Sequence, residues 1–340
     1  MIANTTPLPA RRIADTTLEI CTLGFGGAAV GNLYRAGSDA QAYEAMQAAL
    51  DHGIRYFDTA PHYGHGLSEV RFGEFFGGTL PAGVVISTKV GRVLEPSGAD
   101  GPPDHGFVDP LPFTQVFDYS HDGVMRSFEE SRTRLKNLPV DILYMHDIGS
   151  LTHGDRHEAQ FRLAMEEGIP AMMKLKESGA VKAIGLGVNE WQVCKDLLAY
   201  HDPDVFMLAG RHTLLEREAS RELFPACEKR NISVVSAAPF NSGLLARRPD
   251  TTTHYNYESP PADVLQKAQT LFDELTKRDI EAQAAALQFP LRAPCVASVV
   301  TGMSNARYVE SSTRWFRQEI GDEIWAQIEE ITDDRSIRLS

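Results

Sequence analysis

Short β-rich runs alternate with amphipathic helical stretches along almost the whole chain, and this alternation is the strongest constraint on its fold. The β-rich runs are Thr22–Phe25, Arg55–Asp58, Val84–Lys89, Ile142–His146, Ala183–Gly187, Val205–Leu208, Ser233–Ser236 and Val296–Val300. Helix-period segments lie between or after them at Asp39–His52, Ser68–Phe76, Asp122–Asn137, Ile169–Ser178, Trp191–Tyr200, Ala219–Lys229 and Ile280–Leu291. Such alternation marks parallel βα units. Ser68 and Asp122 stand where helix N-caps are expected, and Gly53 and Gly179 stand where helices stop. Eight strands, each followed by a helix, fit a closed (β/α)8 TIM barrel better than an open doubly wound sheet. A chain of 340 residues that is 43% hydrophobic can bury the core such a barrel needs.

No linker or low-complexity segment divides the chain, so residues 1–340 read as one domain: a barrel core over 18–312 and a helical tail over 313–340. Two pieces decorate the barrel. Arg11–Ile20 reads as a small hairpin covering its amino-terminal mouth. Val90–Ser120 is rich in Pro and Gly, has little periodicity, and leaves the carboxyl end of the third strand. At about thirty residues it is too long for an idle connection and reads as a lid over the site.

Composition excludes several classes of partner. A net charge of −13 with no basic tract argues against nucleic acid and against an anionic membrane surface. The four cysteines, Cys21, Cys194, Cys227 and Cys295, lack C-x-x-C spacing, which suits a reducing compartment and argues against a zinc site. With no signal-peptide pattern at Met1–Ala10 and no membrane-length apolar run, the chain reads as soluble and cytoplasmic. The expected partner is a small-molecule substrate, and the sequence assigns no oligomeric state.

Asp58, Lys89 and His146 each close one of the β-rich runs, and Tyr63 follows the first of these in a Gly-rich turn. In a parallel barrel the carboxyl ends of all strands converge on one rim. A carboxylate, a lysine, a phenol and an imidazole would then share one pocket as a proton-transfer device. Each has an ordinary alternative taken singly: Asp58 as a helix cap, Tyr63 as packing in its turn, His146 as a satisfied histidine. Lys89 at the end of an apolar strand is harder to dismiss, because a buried lysine needs a partner. His62, His65 and His121 also fall in rim loops, as loop residues or substrate contacts.

The runs Leu23-Gly24-Phe25-Gly26, Gly53-Ile54-Arg55-Tyr56-Phe57-Asp58-Thr59-Ala60, Tyr63-Gly64-His65-Gly66-Leu67-Ser68-Glu69 and Ile86-Ser87-Thr88-Lys89 resemble the aldo-keto reductase family. So do Asp141-Ile142-Leu143-Tyr144-Met145-His146, Gly185-Leu186-Gly187-Val188 and Val300-Thr301-Gly302, all in the family's order, from about Leu18 to Ser312. Within the family, Asp118–Ser127 and Gly210–Leu215 are similar to the branch containing L-fucose and D-threo-aldose 1-dehydrogenases and pyridoxal 4-dehydrogenases. The resemblance implies a nicotinamide dinucleotide bound across the carboxyl-terminal rim and hydride transfer with Tyr63 as acid and base. A free tyrosine, with a pKa of about 10, is too weakly acidic for a neutral-pH base; a neighbouring ammonium at Lys89 is expected to lower it. Asp58 would hold Lys89 charged, and His146 would orient the substrate oxygen. No metal is needed.

Carried onto this chain, the family's cofactor pattern falls on Gly26, Asn189, Arg211, Ala237, Pro239, Asn241, Ser242, Gly243, Leu245, Gly302, Ser304 and Arg307, with His62, Trp191 and Phe240 as substrate contacts. Three departures stand out. The family's Ser-Asn pair, which grips the nicotinamide carboxamide, is Asn189-Glu190, and a glutamate cannot donate unless protonated. The sixth-strand Gln falls near Ala209 and the seventh-strand aromatic near Ala237, which leaves Arg211 as a compensating donor. At the adenosine end, the Lys and Arg common in NADP-preferring relatives are replaced near Gly302 and Tyr308, with Arg307 adjacent. Loss of those charges suits a bare ribose hydroxyl, so NAD is favoured over NADP. The Pro239–Leu245 turn would lie along the pyrophosphate, and backbone amides over Gly302–Arg307 suit a phosphate.

The leading expectation is an NAD(P)-dependent oxidation of a cyclic hemiacetal, an aldose giving its lactone. Pyridoxal, which also closes to an internal hemiacetal, is the alternative substrate, and general carbonyl reduction a broader one. Phe107, Phe113, Phe117, Trp191, Phe240 and Tyr257 either line the pocket or pack the lid. Two rivals remain: a Schiff-base aldolase with Lys89 as nucleophile, opposed by the adjacent Asp58, and a non-catalytic nucleotide sensor.

Overall fold

The computed structural model describes residues 8–99, 101–250 and 259–332. Tyr257 and the tail beyond residue 332 lie outside the described residues. The eight expected strands are present and close into a parallel barrel. Hairpin strands β1 (Ala10–Arg12) and β2 (Glu19–Cys21) come first. The barrel strands are β3 (Leu23–Gly26), β4 (Tyr56–Asp58), β5 (Val85–Val90), β8 (Ile142–His146), β9 (Ala183–Val188), β10 (Val205–Ala209), β11 (Ser233–Ala237) and β12 (Val296–Gly302), with β12 pairing back to β3. All eight neighbouring pairs are parallel. Their apolar, β-branched composition suits strands covered on both faces.

β1 and β2 pair antiparallel, with Arg11 opposite Ile20, as the expected hairpin. The long connection after β5 holds a second hairpin that its Pro and Gly content disguised: β6 (Arg92–Pro96) pairs antiparallel with β7 (Phe113–Phe117). The lid is therefore a two-stranded ribbon, and its tip touches the loop after β3 through the Leu33–Phe107 bridge and the Tyr34 N–H to Gly106 carbonyl bond at 2.8 Å.

Several helix expectations are corrected. The Asp39–Asp51 helix begins in a capping box, Ser38 bonding the Gln41 N–H while the Gln41 side chain returns to Ser38. Ser68 does not cap its helix. Gly66, with φ of 99°, precedes the Leu67–Phe76 helix, and the buried Ser68 hydroxyl accepts from Thr59 instead. Asp122 is likewise displaced by Ser120, whose side chain accepts from the Gly123 N–H. The Ala219–Lys229 segment splits into Glu218–Glu222 and Phe224–Lys229, because Pro225 has no N–H to continue the ladder. A helix at Ala262–Thr276 was not anticipated; its Ala268, Leu271, Phe272 and Leu275 pack with Leu244, Leu245, Trp325 and Ile328 as a second apolar cluster beside the barrel. The tail contributes helices at Ala306–Arg317 and Asp322–Thr332. No helix among the described residues is long and apolar enough to cross a membrane, and the four cysteines are free thiols.

Candidate active site

Strand alternation places the inward-facing residues. On β4, Tyr56 and Asp58 share a face; on β5, Ser87 and Lys89; on β8, Tyr144 and His146, two apart in every case. In register, Asp58 lies beside Ser87, Lys89 beside Tyr144 and His146 beside Gly187. The result is a hydrogen-bonded ladder inside the barrel. The Tyr144 and Tyr56 hydroxyls are 3.2 Å apart, Tyr56 and Ser87 are 3.0 Å apart, and Ser87 donates to Asp58 Oδ1 at 2.7 Å. Gly187 leaves the room this requires: a Cβ there would stand 3.3 Å from Lys89 Cε and 3.3 Å from Tyr144 Cβ.

Lys89 is the hub. Its Nζ donates to Asp58 Oδ1 and Oδ2 at 3.0 and 2.8 Å, to the Thr59 carbonyl at 3.0 Å and lies 3.0 Å from the Tyr63 hydroxyl. Both ends of the ion pair are buried, with side chains only 2% and 3% exposed. Burial works against the Lys89 ammonium, but Asp58 and Tyr63 outweigh it and hold its pKa above the usual lysine value. The expected fall in the Tyr63 pKa is corrected. Burial pushes the phenol up, the Lys89 charge opposes this, and the Asp58 charge adds to the rise, leaving the net direction upward. His146 crosses Tyr63 edge to face, ring centroids 6.2 Å apart. Burial, then the Arg92 and Lys89 charges, drive its pKa well below the usual histidine value, so it is a neutral imidazole at pH 7.

The four residues line a cavity of about 970 Å³ at the carboxyl rim, at the upper end of the range for small-molecule sites. Gly26, Asn189, Ala237, Gly302 and Ser304 also line it, as do His62 and Phe240. The remaining expected contacts stand elsewhere. Arg211 donates from Nε to the Asn189 carbonyl at 2.5 Å and faces Glu216 at 3.4 Å, behind the wall. Pro239, Asn241, Ser242 and Gly243 belong to a tight turn with φ of 46° at Asn241 and 56° at Ser242, outside the lining residues, and Leu245 is buried in the second apolar cluster. Arg307 is exposed on the first turn of its helix, while Asn305 and Tyr308 face the cavity. Trp191 also departs from expectation: its indole N–H reaches towards Glu218 at 3.4 Å and its ring lies under Lys195, away from the lining. Of the other aromatic candidates, Phe107 lines the cavity and Phe117 stacks on Arg92. His65 is fully buried against the Phe113 carbonyl at 2.7 Å, and His121 sits by Asp122 at 3.1 Å.

Sequence reasoning missed a second charge pair in the same cavity. Arg92 on β6 meets Asp147, which follows His146, at 2.5 Å, with side chains 10% and 7% exposed. Arg92 also donates to Gln115 Oε1 at 3.0 Å, and Gln115 Oε1 lies 2.6 Å from His62 Nδ1. Burial and the Arg92 charge drive the His62 pKa well down. The signal for Asp147 was its place at a strand end; Arg92 had none, being inside the lid. Glu190, feared as a carboxylate facing the carboxamide, turns away to accept from the Leu151 N–H at 3.0 Å and the Ser150 hydroxyl at 3.0 Å. Among the described residues no three His, Cys, Asp or Glu side chains are arranged to hold a metal ion.

The aldo/keto reductase family profile matches residues 22–333. A pyridoxal 4-dehydrogenase of Microbacterium luteolum is 40% identical over 328 residues, spanning 94% of this chain and 96% of that protein. A D-threo-aldose 1-dehydrogenase of Pseudomonas sp is 38% identical over 324 residues, spanning 93% and 95%. In three dimensions the chain is similar to the holo form of an aldo-keto reductase from Bacillus halodurans, with a TM-score of 0.75, 23% identity and coverage of 96% and 97%; this likeness concerns the fold.

Proposed function

Because the chain belongs to the aldo/keto reductase family, whose members are oxidoreductases that use NAD(P)(H), we propose that it dehydrogenates cyclic hemiacetals, converting an aldose at its anomeric carbon to the lactone. The observation carrying this reading is the Lys89 ammonium, 3.0 Å from the Tyr63 hydroxyl and chelated by both Asp58 oxygens. Tyr63 takes the proton of the anomeric hydroxyl as the carbon–hydrogen bond breaks and the new C=O forms. Neutral His146 orients that oxygen. Asp58 and Lys89 keep a compensated cation beside the phenolate that accepts this proton and becomes the phenol. The same charged Lys89 opposes the aldolase alternative, which needs a free amine.

A nicotinamide dinucleotide, when bound, supplies the hydride acceptor. The residues present fit such a group. The cavity runs from the tetrad to the opening turn of the Ala306–Arg317 helix, and its wall between is made small by Gly26, Gly187, Ala209, Ala237 and Ala238. A Cβ at Gly26 would stand 3.0 Å from the Thr301 carbonyl oxygen, so a larger residue would crowd the backbone there. Gly302, Ser304, Asn305 and Tyr308 would hold the adenosine end; none of these four is a cation, and this supports NAD over NADP. Asn189 offers its carboxamide oxygen to the nicotinamide end. Pyridoxal is the second substrate reading, supported by the similarity to a pyridoxal 4-dehydrogenase and by Phe107 beside His62 at 5.2 Å.

The test is a spectrophotometric panel of fucose, arabinose, galactose and pyridoxal with NAD and NADP side by side. Reduced-nicotinamide absorbance should rise with at least one, faster with NAD; a flat trace throughout would refute the reading. Tyr63→Phe should lower turnover by about 10²–10⁴-fold while cofactor binding survives.

A further inference from the structure

The Arg92–Asp147 pair is not needed for proton transfer, yet it is built into the same cavity. Asp147 sits at φ 49°, a left-handed backbone that costs a non-glycine residue free energy and persists only when its surroundings impose it. They do: the Asp147 N–H bonds the Gly187 carbonyl at 3.0 Å, and the buried Tyr119 hydroxyl lies 2.8 Å from the His146 carbonyl and 3.0 Å from that of Asp147. The side chain is thereby turned into the cavity wall, with Oδ2 3.4 Å from His146 Nε2.

Its hydrogen bonding is incomplete. Oδ1 accepts from Asn189 Nδ2 at 3.2 Å and Oδ2 from Arg92, so each oxygen retains a lone pair. Arg92 is over nine-tenths buried, and its Nε–H has no partner. Unpaired polar atoms of a buried ion pair are costly unless something completes them.

Resting on the hemiacetal reading of this site, we propose that Arg92 and Asp147 form a specificity-determining pair that binds the substrate hydroxyl on the carbon next to the reacting one. The hydroxyl donates to Asp147 and accepts from Arg92. The 3.4 Å between His146 Nε2 and Asp147 Oδ2 places two bound oxygens within the span of neighbouring carbons. A substrate lacking that hydroxyl shuts the cavity over an unsatisfied carboxylate and guanidinium. The site thus selects polyhydroxylated substrates over deoxygenated aldehydes by a penalty as much as by an attraction.

Galactose and 2-deoxygalactose are the probes, used with the cofactor-loaded enzyme. In the unmodified protein kcat/KM and calorimetric affinity should both favour galactose by about 10- to 100-fold. Asp147→Asn and Arg92→Gln should collapse that ratio towards unity, and Arg92→Lys should restore part of it; general unfolding would not move a ratio in this way. A ratio near one in the unmodified protein, or one unchanged by Asp147→Asn, overturns the proposal. Preferential binding of galactose without any oxidation would uphold the pair while refuting the redox reading. Oxidation of both sugars at equal rates would do the reverse.

Discussion

Replacing Lys89 by methionine separates the catalytic from the structural value of the buried pair. Two unit charges 3.0 Å apart, the Lys89–Tyr63 separation, interact by about 5–6 kcal/mol at an effective dielectric of about 20. Removing the cation therefore pushes the Tyr63 phenol further up, beyond the rise that burial already imposes. Oxidation needs the phenolate, so its rate climbs with pH, and in Lys89→Met that climb moves further into alkali. At pH 7 kcat/KM for the oxidised substrate should fall by about 10³-fold. Stability should fall as well, by about 3–5 kcal/mol at neutral pH, because Asp58 is left buried without its cation.

The double variant Asp58→Asn/Lys89→Met distinguishes the two effects. It removes both charges, so denaturant unfolding should recover most of the lost stability while turnover stays lost. Acidification should also narrow the stability gap between the single and double variants, since burial favours the protonated Asp58 carboxyl. Lys89→Met enzyme working within tenfold of the parent, or keeping its alkaline limb in place, would refute the role given to this ammonium.

Glu69 is fully buried between Thr88 at 2.5 Å and Arg134 at 2.7 Å; Arg134→Met should cost about 3–5 kcal/mol by denaturant unfolding, and Glu69→Gln/Arg134→Met should recover much of it. His212 is enclosed by Phe224 and Phe289 with neither ring nitrogen in a well-formed hydrogen bond, and burial, then the Arg217 charge, bring its pKa down from 6.5 to about 4. Between those values the unfolded chain binds a proton the folded chain refuses, so stability falls on acidification by about 2 kcal/mol at pH 5 from this residue, and His212→Phe should remove that share of the pH dependence.

The barrel was legible because its determinants are local: β-branched runs, their spacing, and the side chains that close them. Period-two alternation within those runs would also have found Ser87 and Tyr144, which complete the ladder beneath Asp58. The Ala262–Thr276 helix carried its signal too, in Ala268, Leu271, Phe272 and Leu275 at helical spacing. Other features depend on backbone that composition does not display. A serine near a helix start reads as a cap, but at Ser68 the turn at Gly66 places the hydroxyl inward against Thr59. The lid ribbon was obscured because strands shorter than its connecting loop leave little periodicity, and Arg92 finds Asp147 only after β6 folds over the rim.

That same contact reaches Asn189. Asp147 occupies the Asn189 amide nitrogen at 3.2 Å, and Arg211 holds the Asn189 carbonyl at 2.5 Å. A line of polar contacts therefore runs from the lid through Asp147 to the residue expected to meet the nicotinamide. Asn189 can still offer its side-chain oxygen and its second N–H without disturbing Asp147. Asn189 steadies the buried Asp147 carboxylate, and Glu190 anchors the loop that follows His146 through Ser150 and Leu151.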